Sequence, residues 1–448
     1  MGLIKIKIVN FMIFVKSNFR WVYATLILSM GYWISCVTEP IAPATTQDVN
    51  NGIDLIAQFT TTAPEIDGTI DPIWDKVPKL SNETEVPNPG NGLFVGYIGD
   101  KYQFSLRSLY DQQNIYFLAE WNDPSKGGGV QPWYFNPSIK RWAQESNSKT
   151  IDVNGNIIRD AMGTDQLSFQ WNIDNSTRNF ATQTCYASCH LFTSYRNGLG
   201  FMVPNKSGNH YTNLLTEKID MWWLRLNKEL PNGQMDDQYQ DWAGGPAVTD
   251  TVGGNGNGRH ADDLIPPTPF STAYINTKPT PSNGPINNRV SLKLDGTGAS
   301  VNVPAWIIPN GINQDYISSD DTLGENSAKK VIGVTSNGVL IYTGGTLDPN
   351  GQKDYQQLPG FNGGVGNKCI PGFITAPYTN GRADLTAKGI HTGKGWVVEF
   401  KRALNTNNTL KQDVDFSSME DQPFGIAIWN NCNNQHSIRP GLLLKFKK

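Results

Sequence analysis

Gln166-Leu167-Ser168-Phe169-Gln170-Trp171 alternates polar and apolar side chains without a break. Successive side chains of a β-strand point to opposite faces, so this pattern predicts a strand with one apolar face. The same period of two recurs, in whole or in part, in four other stretches: Tyr102–Leu106, Asn114–Trp121, Trp396–Phe400 and Phe424–Trp429. Sustained helical spacing is rare, and its best example, Glu217–Lys228, is short. The sequence therefore predicts an all-β fold, an antiparallel β-sandwich with long loop insertions and few short helices.

The chain divides into a targeting segment (1–36), a tether (37–58) and one large β-sandwich domain (59–448). The tether is rich in Thr, Pro and Asn, a composition typical of a linker. Within the domain, residues from about 244 to 333 are rich in Gly, Pro, Asn and Thr, with weak strand signals at Val290–Leu294 and Ala305–Ile308. So long a loop is uncommon in a compact domain unless it is an insertion or functional. We interpret it as an insertion within the sandwich.

The N-terminal segment has the pattern of an export signal. Basic residues precede an apolar run of about fourteen residues, Trp21–Ile34, which is shorter than the about 20 that a membrane-spanning helix needs. Trp33-Ile34-Ser35-Cys36 resembles a lipoprotein cleavage site, with Ser35 fitting the pattern and Trp33 fitting it poorly. We therefore expect an exported lipoprotein in the cell envelope, anchored to the membrane through Cys36 and facing the periplasm or the cell surface. Simple secretion is the alternative.

Charge and motif content exclude several functions. The formal net charge is −3 and no stripe of Lys and Arg is present, so nucleic acid is not an expected partner. The sequence has no G-x-S-x-G, Walker A or H-E-x-x-H motif. An independent enzyme therefore has no support from motifs.

Cys185-Tyr186-Ala187-Ser188-Cys189-His190 is one residue longer than the C-x-x-C-H motif of covalent haem attachment. In that motif, two thiols form thioethers with the haem vinyl groups and the histidine ligates the iron. An extra residue between the thiols leaves both sulfurs and the imidazole available. The chain has only five cysteines and five histidines, which makes a chance occurrence improbable. The motif predicts one covalent haem c on Cys185, Cys189 and His190; a short-loop disulfide or two unrelated thiols are the alternatives.

Two cysteines remain once lipid and haem are assigned. In an oxidising compartment, Cys369 and Cys432 could form a disulfide, with two independent thiols as the alternative.

Several blocks resemble the haem-binding subunit of ethylbenzene dehydrogenase and its relatives, a family with a sandwich like that of carbohydrate-binding module 9. The resemblance runs from about residue 59 to the C-terminus, and its blocks occur in the family's order. They are Pro64–Gly68 with Asp71–Trp74, Asp111–Asp123, Asp165–Leu167, Asp220–Trp223, Gly395–Leu404 and Phe424–Trp429.

The resemblance implies a β-sandwich with haem at one end and an electron-transfer role in the cell envelope. Gamma subunits of this family hold a non-covalent haem b through Met and Lys. The C-x3-C-H stretch departs from that pattern and is similar to the family's c-type members, with a haem-binding domain of the cytochrome c-552 type. The resemblance alone also allows a sugar-binding module without haem.

His436 is the expected second iron ligand. It follows the apolar strand Phe424–Trp429 by a short loop, and the resemblance places a Lys or His ligand after this strand. A Cys369–Cys432 disulfide would hold the same loop rigid. Met221 and His260 are the alternatives: Met221 lies among apolar residues, where core packing is the commoner role, and His260 lies in a Gly-rich loop.

Two further groups are weaker signals. The adjacent acids Asp236-Asp237 and Asp262-Asp263 could bind calcium or act as acid and base, although solvated loops are the commoner explanation. The aromatics of the stretch 133–142 could stack on sugars, shield a haem edge or pack within a loop: Trp133, Tyr134, Phe135 and Trp142.

The sequence thus predicts a c-type cytochrome-like, iron-binding protein that passes electrons between redox protein partners in the envelope. One alternative is a carbohydrate- or surface-binding lipoprotein without haem. Another is the haem subunit of a multi-chain oxidoreductase whose catalytic centre lies on another chain.

Overall fold

A computed structural model describes residues 52–88, 94–127, 129–146, 150–154, 156–159, 162–188, 194–196, 202–204, 212, 214–242, 258–268, 271, 273–280, 282–309, 316–349, 369–433 and 435–447. The chain divides into two units, 1–45 and 46–448, and the described residues all belong to the second. The predicted export signal and Cys36 lie outside them.

The strands of the first half, numbered in chain order, are β1 (Asp54–Phe59), β2 (Leu80–Glu85), β3 (Lys101–Tyr110), β4 (Asn114–Asn122), β5 (Trp133–Asn136), β6 (Arg141–Gln144), β7 (Thr150–Ile151), β8 (Ile157–Arg159), β9 (Gln166–Asn172), β10 (Ser194–Arg196), β11 (Met202–Pro204), β12 (Ile219–Arg225) and β13 (Gln234–Gln240).

The strands of the second half are β14 (Arg259–Ala261), β15 (Leu264–Ile265), β16 (Ile275–Asn276), β17 (Ile286–Asn287), β18 (Val290–Lys293), β19 (Ser300–Val303), β20 (Trp306–Ile307), β21 (Ile317–Ser318), β22 (Lys329–Val334), β23 (Leu340–Tyr342), β24 (Gly345–Leu347), β25 (Cys369–Ile370), β26 (Phe373–Thr375), β27 (Leu385–His391), β28 (Gly395–Ala403), β29 (Gln422–Trp429) and β30 (Ser437–Lys447).

Among the residues that the structure describes, helices are few and short, as predicted. The α-helices there are Phe180–Gln183, Cys185–Ser188, Leu226–Glu229 and Ser319–Thr322. The 3₁₀ helices are Pro72–Lys76, Ile173–Asn175, Leu230–Asn232, Leu323–Glu325 and Asn380–Ala383. In the part of the chain that the structure describes, no helix has the length and apolar character that crossing a membrane requires.

Ten strands form a continuous hydrogen-bonded ring in the order β3-β2-β30-β29-β9-β12-β13-β27-β28-β4, which closes because β4 also pairs with β3. Neighbours in this ring are antiparallel, whereas β1 pairs in parallel with both β3 and β30. The all-β prediction is confirmed, and the parallel β1 is the departure from a purely antiparallel sheet. Sequence periodicity does not report which strands become neighbours.

The ring is flattened into two layers that meet through aromatic side chains. The Phe117 ring of β4 lies 6.2 Å from Phe169 and 6.0 Å from Trp171, both on β9. Phe400 of β28 lies 5.3 Å from Phe169. Every strand of the ring contributes to one apolar core, and all except β2 and β13 contribute alternate residues, which explains the period of two in the sequence.

The segment Glu217–Lys228 was expected to be a helix, and this prediction is wrong. Residues 219–225 form β12, and only Leu226–Glu229 is helical. Trp222 and Leu224 face the core, while Met221 and Trp223 are buried on the other face. A strand that is apolar on both faces has no alternation to distinguish it from a helix.

The Gly- and Pro-rich region folds with the β5–β6 hairpin around a second apolar core. Trp133, Phe135 and Trp142 of the hairpin pack there against side chains of the insertion, among them Val303, Val331 and Leu340. The weak strand signals at 290–294 and 305–308 correspond to β18 and β20. Trp133, Phe135 and Trp142 are all less than 7% exposed. Their observed role is therefore packing, and not stacking on sugars or shielding of a haem edge.

Candidate functional site

The outer face of β29 is the base of the candidate site. Phe424, Ile426 and Ile428 point into the main core, so Gly425, Ala427 and Trp429 point outward. The outward residues Ala427 and Trp429 are nevertheless less than 10% exposed. This outer face of the sheet is therefore covered by other parts of the chain.

Burial continues onto the neighbouring strand. Gln166, Ser168 and Gln170 of β9, whose alternation with apolar residues predicted a half-buried strand, are all buried. The Gln166 side chain donates to the Cys432 carbonyl (2.7 Å) and accepts from the Trp223 indole (2.8 Å). These hydrogen bonds satisfy a polar side chain under the covering segment, as buried polar groups require.

Cys185 lies on this face, at the start of the helix Cys185–Ser188, and is 4% exposed. Gly425 makes room for it: a Cβ at position 425 would lie 2.7 Å from the Thr184 hydroxyl and 3.5 Å from the Cys185 sulfur. Thr184 joins the two short helices with a positive φ of 36°. Cys189 and His190, the other members of the haem motif, lie outside the described residues.

His436 lies on the same face, immediately before β30, and is 8% exposed. Its imidazole stacks on the Trp429 indole, with ring centroids 4.5 Å apart, and meets the edge of Phe94 at 5.5 Å.

One apolar cluster connects the two predicted site residues. The cluster contains Cys185 and the Trp429 on which His436 stacks. Its other members are Val86, Phe94, Tyr97, Ala427, Cys432 and Ile438. Residues 251 positions apart in the sequence (436 − 185 = 251) thus border the same apolar environment, which we call the Cys185–His436 cluster.

The loop between β29 and β30 is held in place by hydrogen bonds. Asp165 accepts from the Asn431 amide (2.9 Å), and the Gly163 amide donates to the Asn431 carbonyl (2.9 Å). Cys432 is fully buried, and its thiol donates to the Gln435 carbonyl at 2.7 Å. The side chain of Cys369 lies outside the described residues, so its disulfide with Cys432 stays a prediction.

The alternative ligand Met221 lies on the same outer face, two strands away. It pairs with Gln170 of β9, which pairs with Gly425 of β29. Two strand spacings correspond to about 10 Å between Met221 and Gly425. Met221 is buried on this outer face, whereas the neighbouring Trp222 faces the main core.

The alternative ligand His260 points the other way. In β14, Arg259 stacks its guanidinium over Trp223 on the outer face (4.4 Å), so the next residue, His260, faces the opposite side. Its ring stacks on Tyr274, and its Nε2 lies 3.8 Å from Asp241 Oδ1. Burial and the charge of Arg259 lower the pKa of His260 to about 4, which keeps the imidazole neutral.

A cavity of about 430 Å³ lies elsewhere, lined by residues that include Lys126, Asn227, His391 and Trp396. The Gly393 amide donates to His391 Nδ1 (3.2 Å), so Nε2 carries the hydrogen and donates to the Asp123 carbonyl (2.8 Å). None of the residues predicted for haem lines this cavity.

Beside the cavity lies a buried carboxyl pair. Asp165 accepts hydrogen bonds from the Gly127 and Asn431 amides and from the Trp396 indole. Burial raises the pKa of Asp165, and these three donors offset part of that rise. Burial and the negative charge of Asp165 raise the pKa of Asp123 to about 7.

Sequence reasoning missed the residues that surround the predicted ligands. Trp429 was noted only as the end of a strand, yet the alternation in Phe424–Trp429 already places it opposite the core residues. Phe94 carried no comparable signal, because its contact with His436 joins residues far apart in the chain.

Fold and site together define a β-sandwich protein with a cysteine- and histidine-bordered apolar cluster on one outer face of its sheet. The family described as ethylbenzene dehydrogenase matches residues 71–440. The chain belongs to the ethylbenzene dehydrogenase family, which confirms the resemblance in its sequence blocks.

Two solved structures are similar over most of the chain. A carbohydrate-binding module of family 9 from Caldicellulosiruptor kristjanssonii, in complex with glucose, is 8% identical with a TM-score of 0.26, covering 88% of this chain and 95% of that chain. The same module with cellotriose is 9% identical with a TM-score of 0.25, covering 88% and 93%. No curated protein matches the chain.

Proposed function

We propose that this chain is a c-type haem protein that transfers single electrons within a multi-chain redox assembly of the cell envelope. The observation that carries the proposal is the position of Cys185 and His436 beside one apolar cluster. The C-x3-C-H motif predicted Cys185 as a haem residue, and the family resemblance predicted His436. Family membership supports the coarser part, a subunit of an ethylbenzene dehydrogenase-like complex with haem binding in general.

The residues present fit a haem. The cluster offers a thiol, an imidazole and aromatic side chains, the donor set and apolar surroundings that haem proteins use. The buried hydroxyls of Thr184 and Ser188 and the buried indole N–H of Trp429 have no hydrogen-bond partner among the described residues. Buried polar atoms are normally satisfied, so these three atoms are consistent with a polar group beside the cluster.

In this proposal different residues of the chain attach the cofactor, ligate its iron and shield it from water. Cys185 and Cys189 would hold a haem through thioethers, and His190 and His436 would provide nitrogen ligands. Trp429 and Phe94 fix the plane of the His436 ring, and the surrounding apolar side chains exclude water. A bound haem supplies a reversible one-electron couple.

The partner in this proposal is a redox protein, and the catalytic centre lies on another chain. The family resemblance implies a non-covalent haem in gamma subunits, whereas the C-x3-C-H stretch supports covalent attachment here.

Covalent attachment is tested by the intact mass of full-length protein matured with the cytochrome c maturation machinery. We expect denatured protein to retain the mass of one haem and to give a pyridine haemochrome spectrum of haem c. The double variant Cys185→Ala/Cys189→Ala should lose the adduct, while Cys432→Ala, which removes a thiol from the same cluster, should keep it. Correctly matured wild-type protein without a haem adduct would refute the proposal.

Membrane anchoring through Cys36 is part of the same proposal. The pattern Trp33-Ile34-Ser35-Cys36 supports a lipid on Cys36. Cys36→Ser should then move the protein from the membrane fraction to the soluble envelope fraction, while Cys432→Ala should not. Unchanged membrane association of Cys36→Ser would show that another contact holds the protein.

A further inference from the structure

Three carboxylates from separate parts of the chain meet beside the main core. Asp220 lies on β12, Asp237 on β13, and Asp413 in the segment between β28 and β29. One oxygen of each lies within 4.8 Å of the other two, and the three side chains are 0%, 0% and 8% exposed. Like charges this close repel strongly in a buried site.

The hydrogen bonds of this group leave several oxygens unsatisfied. Asp220 Oδ2 accepts from Arg402 Nη1 (2.7 Å) and from the Val414 amide (2.9 Å). Asp220 Oδ1, Asp413 Oδ1 and both oxygens of Asp237 are buried and have no hydrogen-bond partner among the described residues.

A fourth buried carboxylate lies beside this group. Asp262 follows β14, is 2% exposed, and both of its oxygens are also without a hydrogen-bond partner in the described part of the chain. Because Ala261 of β14 lies opposite Gln238 of β13, the next residue, Asp262, comes beside Asp237.

Arg402 is the positive charge that contacts this group, through its ion pair with Asp220. The neighbouring cation Lys278 pairs instead with Asp263, at 3.3 Å. When ionised, the four buried carboxylates carry more negative charge than the one guanidinium in contact with them can neutralise. Buried charges are costly unless they are paired or coordinate a metal.

We propose that Asp220, Asp237, Asp262 and Asp413 bind a calcium ion. Carboxylate oxygens are the ligands of hard divalent cations. Calcium accepts six to eight oxygen ligands in flexible geometry, whereas magnesium demands a near-ideal octahedron and usually keeps several waters. A buried site that offers several protein carboxylates, three of them with oxygens no more than 4.8 Å apart, therefore favours calcium.

The fold brings together one residue from each of the two acid pairs, Asp236-Asp237 and Asp262-Asp263. Strand β14 pairs with β13 in a register that places Ala261 opposite Gln238, so Asp262 comes beside Asp237. Alternation along β13 sends the neighbouring Asp236 to the outer face, where it binds Arg225 and Arg382. The two adjacent pairs were expected to lie on solvated loops, and this prediction is wrong. Each of their four residues is less than 5% exposed: Asp236, Asp237, Asp262 and Asp263.

The experiment uses the full-length, haem-matured chain, freed of metal with EDTA and titrated with calcium. Isothermal titration calorimetry should show one strong site, and saturating calcium should raise the melting temperature by about 5 °C. Terbium should bind competitively and luminesce on tryptophan excitation, because Trp222 lies under the Arg402 that contacts the site (4.9 Å).

The variants Asp237→Asn and Asp262→Asn should each weaken calcium binding by at least about 10-fold, because each removes one charged ligand. Both should remain folded without calcium, because the amide removes charge repulsion. The control Asp174→Asn changes an exposed carboxylate paired with Lys411 and should bind calcium like wild type.

Three outcomes would overturn the calcium site. They are no calcium binding by folded wild-type protein at millimolar calcium, a preference for magnesium over calcium, and wild-type calcium affinity in both Asp237→Asn and Asp262→Asn. None of these outcomes depends on haem, because the readouts are heat of binding and melting temperature.

Discussion

At the scale of single residues, the stacking of His436 on Trp429 determines what a substitution there should do. An imidazole between an indole face and the edge of Phe94 has little freedom to rotate, so its nitrogens keep one direction. A ligand held in this way loses less conformational entropy when it binds iron.

His436→Ala is therefore expected to change the iron without releasing the haem. The low-spin absorption spectrum should become high-spin or show an open coordination position, while the denatured protein keeps its haem mass. His436→Met should stay six-coordinate where the loop permits and raise the redox potential, because a thioether favours the reduced iron. The control Met221→Leu should leave the spectrum unchanged; if Met221→Leu instead abolishes the low-spin state and His436→Ala does not, Met221 is the ligand.

The buried pair of Asp123 and Asp165 gives a pH dependence. Burial and the charge of Asp165 raise the pKa of Asp123 to about 7 in the folded protein, above its value in the unfolded chain. The folded state therefore binds the extra proton, and this contribution to stability is lost as the pH rises through about 7. We expect the free energy of unfolding to fall by on the order of 2 kcal/mol between pH 5 and pH 8 from this residue.

Urea denaturation at the two pH values measures this effect. Asp123→Asn should flatten the dependence, because an amide does not titrate, while the exposed-site variant Asp174→Asn should keep the wild-type slope. Equal slopes for wild type and Asp123→Asn would show that Asp123 is already ionised at pH 5.

At the scale of elements, the contact between β29 and the helix that begins at Cys185 depends on Gly425. A Cβ there would lie 2.7 Å from the Thr184 hydroxyl and 3.0 Å from the Thr184 Cβ. Gly425→Ala should therefore lower the free energy of unfolding by about 1–3 kcal/mol, the usual range for overpacking.

A second substitution tests the cause of that loss. Thr184→Gly removes the clashing side chain and also relieves the positive φ of residue 184, so Gly425→Ala/Thr184→Gly should recover most of the stability. Thr184→Ser keeps the hydroxyl and should not rescue. If the effects of Gly425→Ala and Thr184→Gly simply add in urea denaturation, the helix does not rest on Gly425.

The strands show which part of this architecture is local. Alternation identified β3, β4, β9, β28 and β29, because the two faces of a strand are encoded by neighbouring residues. It failed at β12, where Met221 and Trp223 are covered by segments from elsewhere in the chain. The parallel pairing of β1 with β3 and β30 was equally invisible, since pairing is a long-range property.

The candidate site divides in the same way. The spacing of Cys185 from Cys189 and His190 and the position of His436 after the strand Phe424–Trp429 are local signals, and both indicate this region from sequence. Asp165 and Gln166 form hydrogen bonds that hold the loop between β29 and β30, and each bond joins residues 266 positions apart. A local sequence pattern cannot predict such bonds.

At the scale of the whole molecule, the second apolar core is built separately from the Cys185–His436 cluster. The two share no residue. The β5–β6 hairpin connects to the insertion through the Trp133 indole, which donates to the Asn288 carbonyl (2.7 Å), and the Trp142 indole, which donates to the Gly338 carbonyl (2.8 Å). The insertion therefore depends on a hairpin distant in sequence.

Trp133→Ala should consequently weaken the insertion without altering the candidate haem site. Removing a buried tryptophan and its hydrogen bond is expected to cost about 3–5 kcal/mol of local stability. Hydrogen exchange should accelerate in residues 290–347, while the haem spectrum and the exchange of β29 and β30 stay as in wild type. The matched control Phe400→Ala opens the main core on which β29 packs, so it should accelerate exchange in β29 as well. If Trp133→Ala also changes the haem spectrum, the two regions are energetically coupled, and the insertion contributes to the site as well as to the surface of the sandwich.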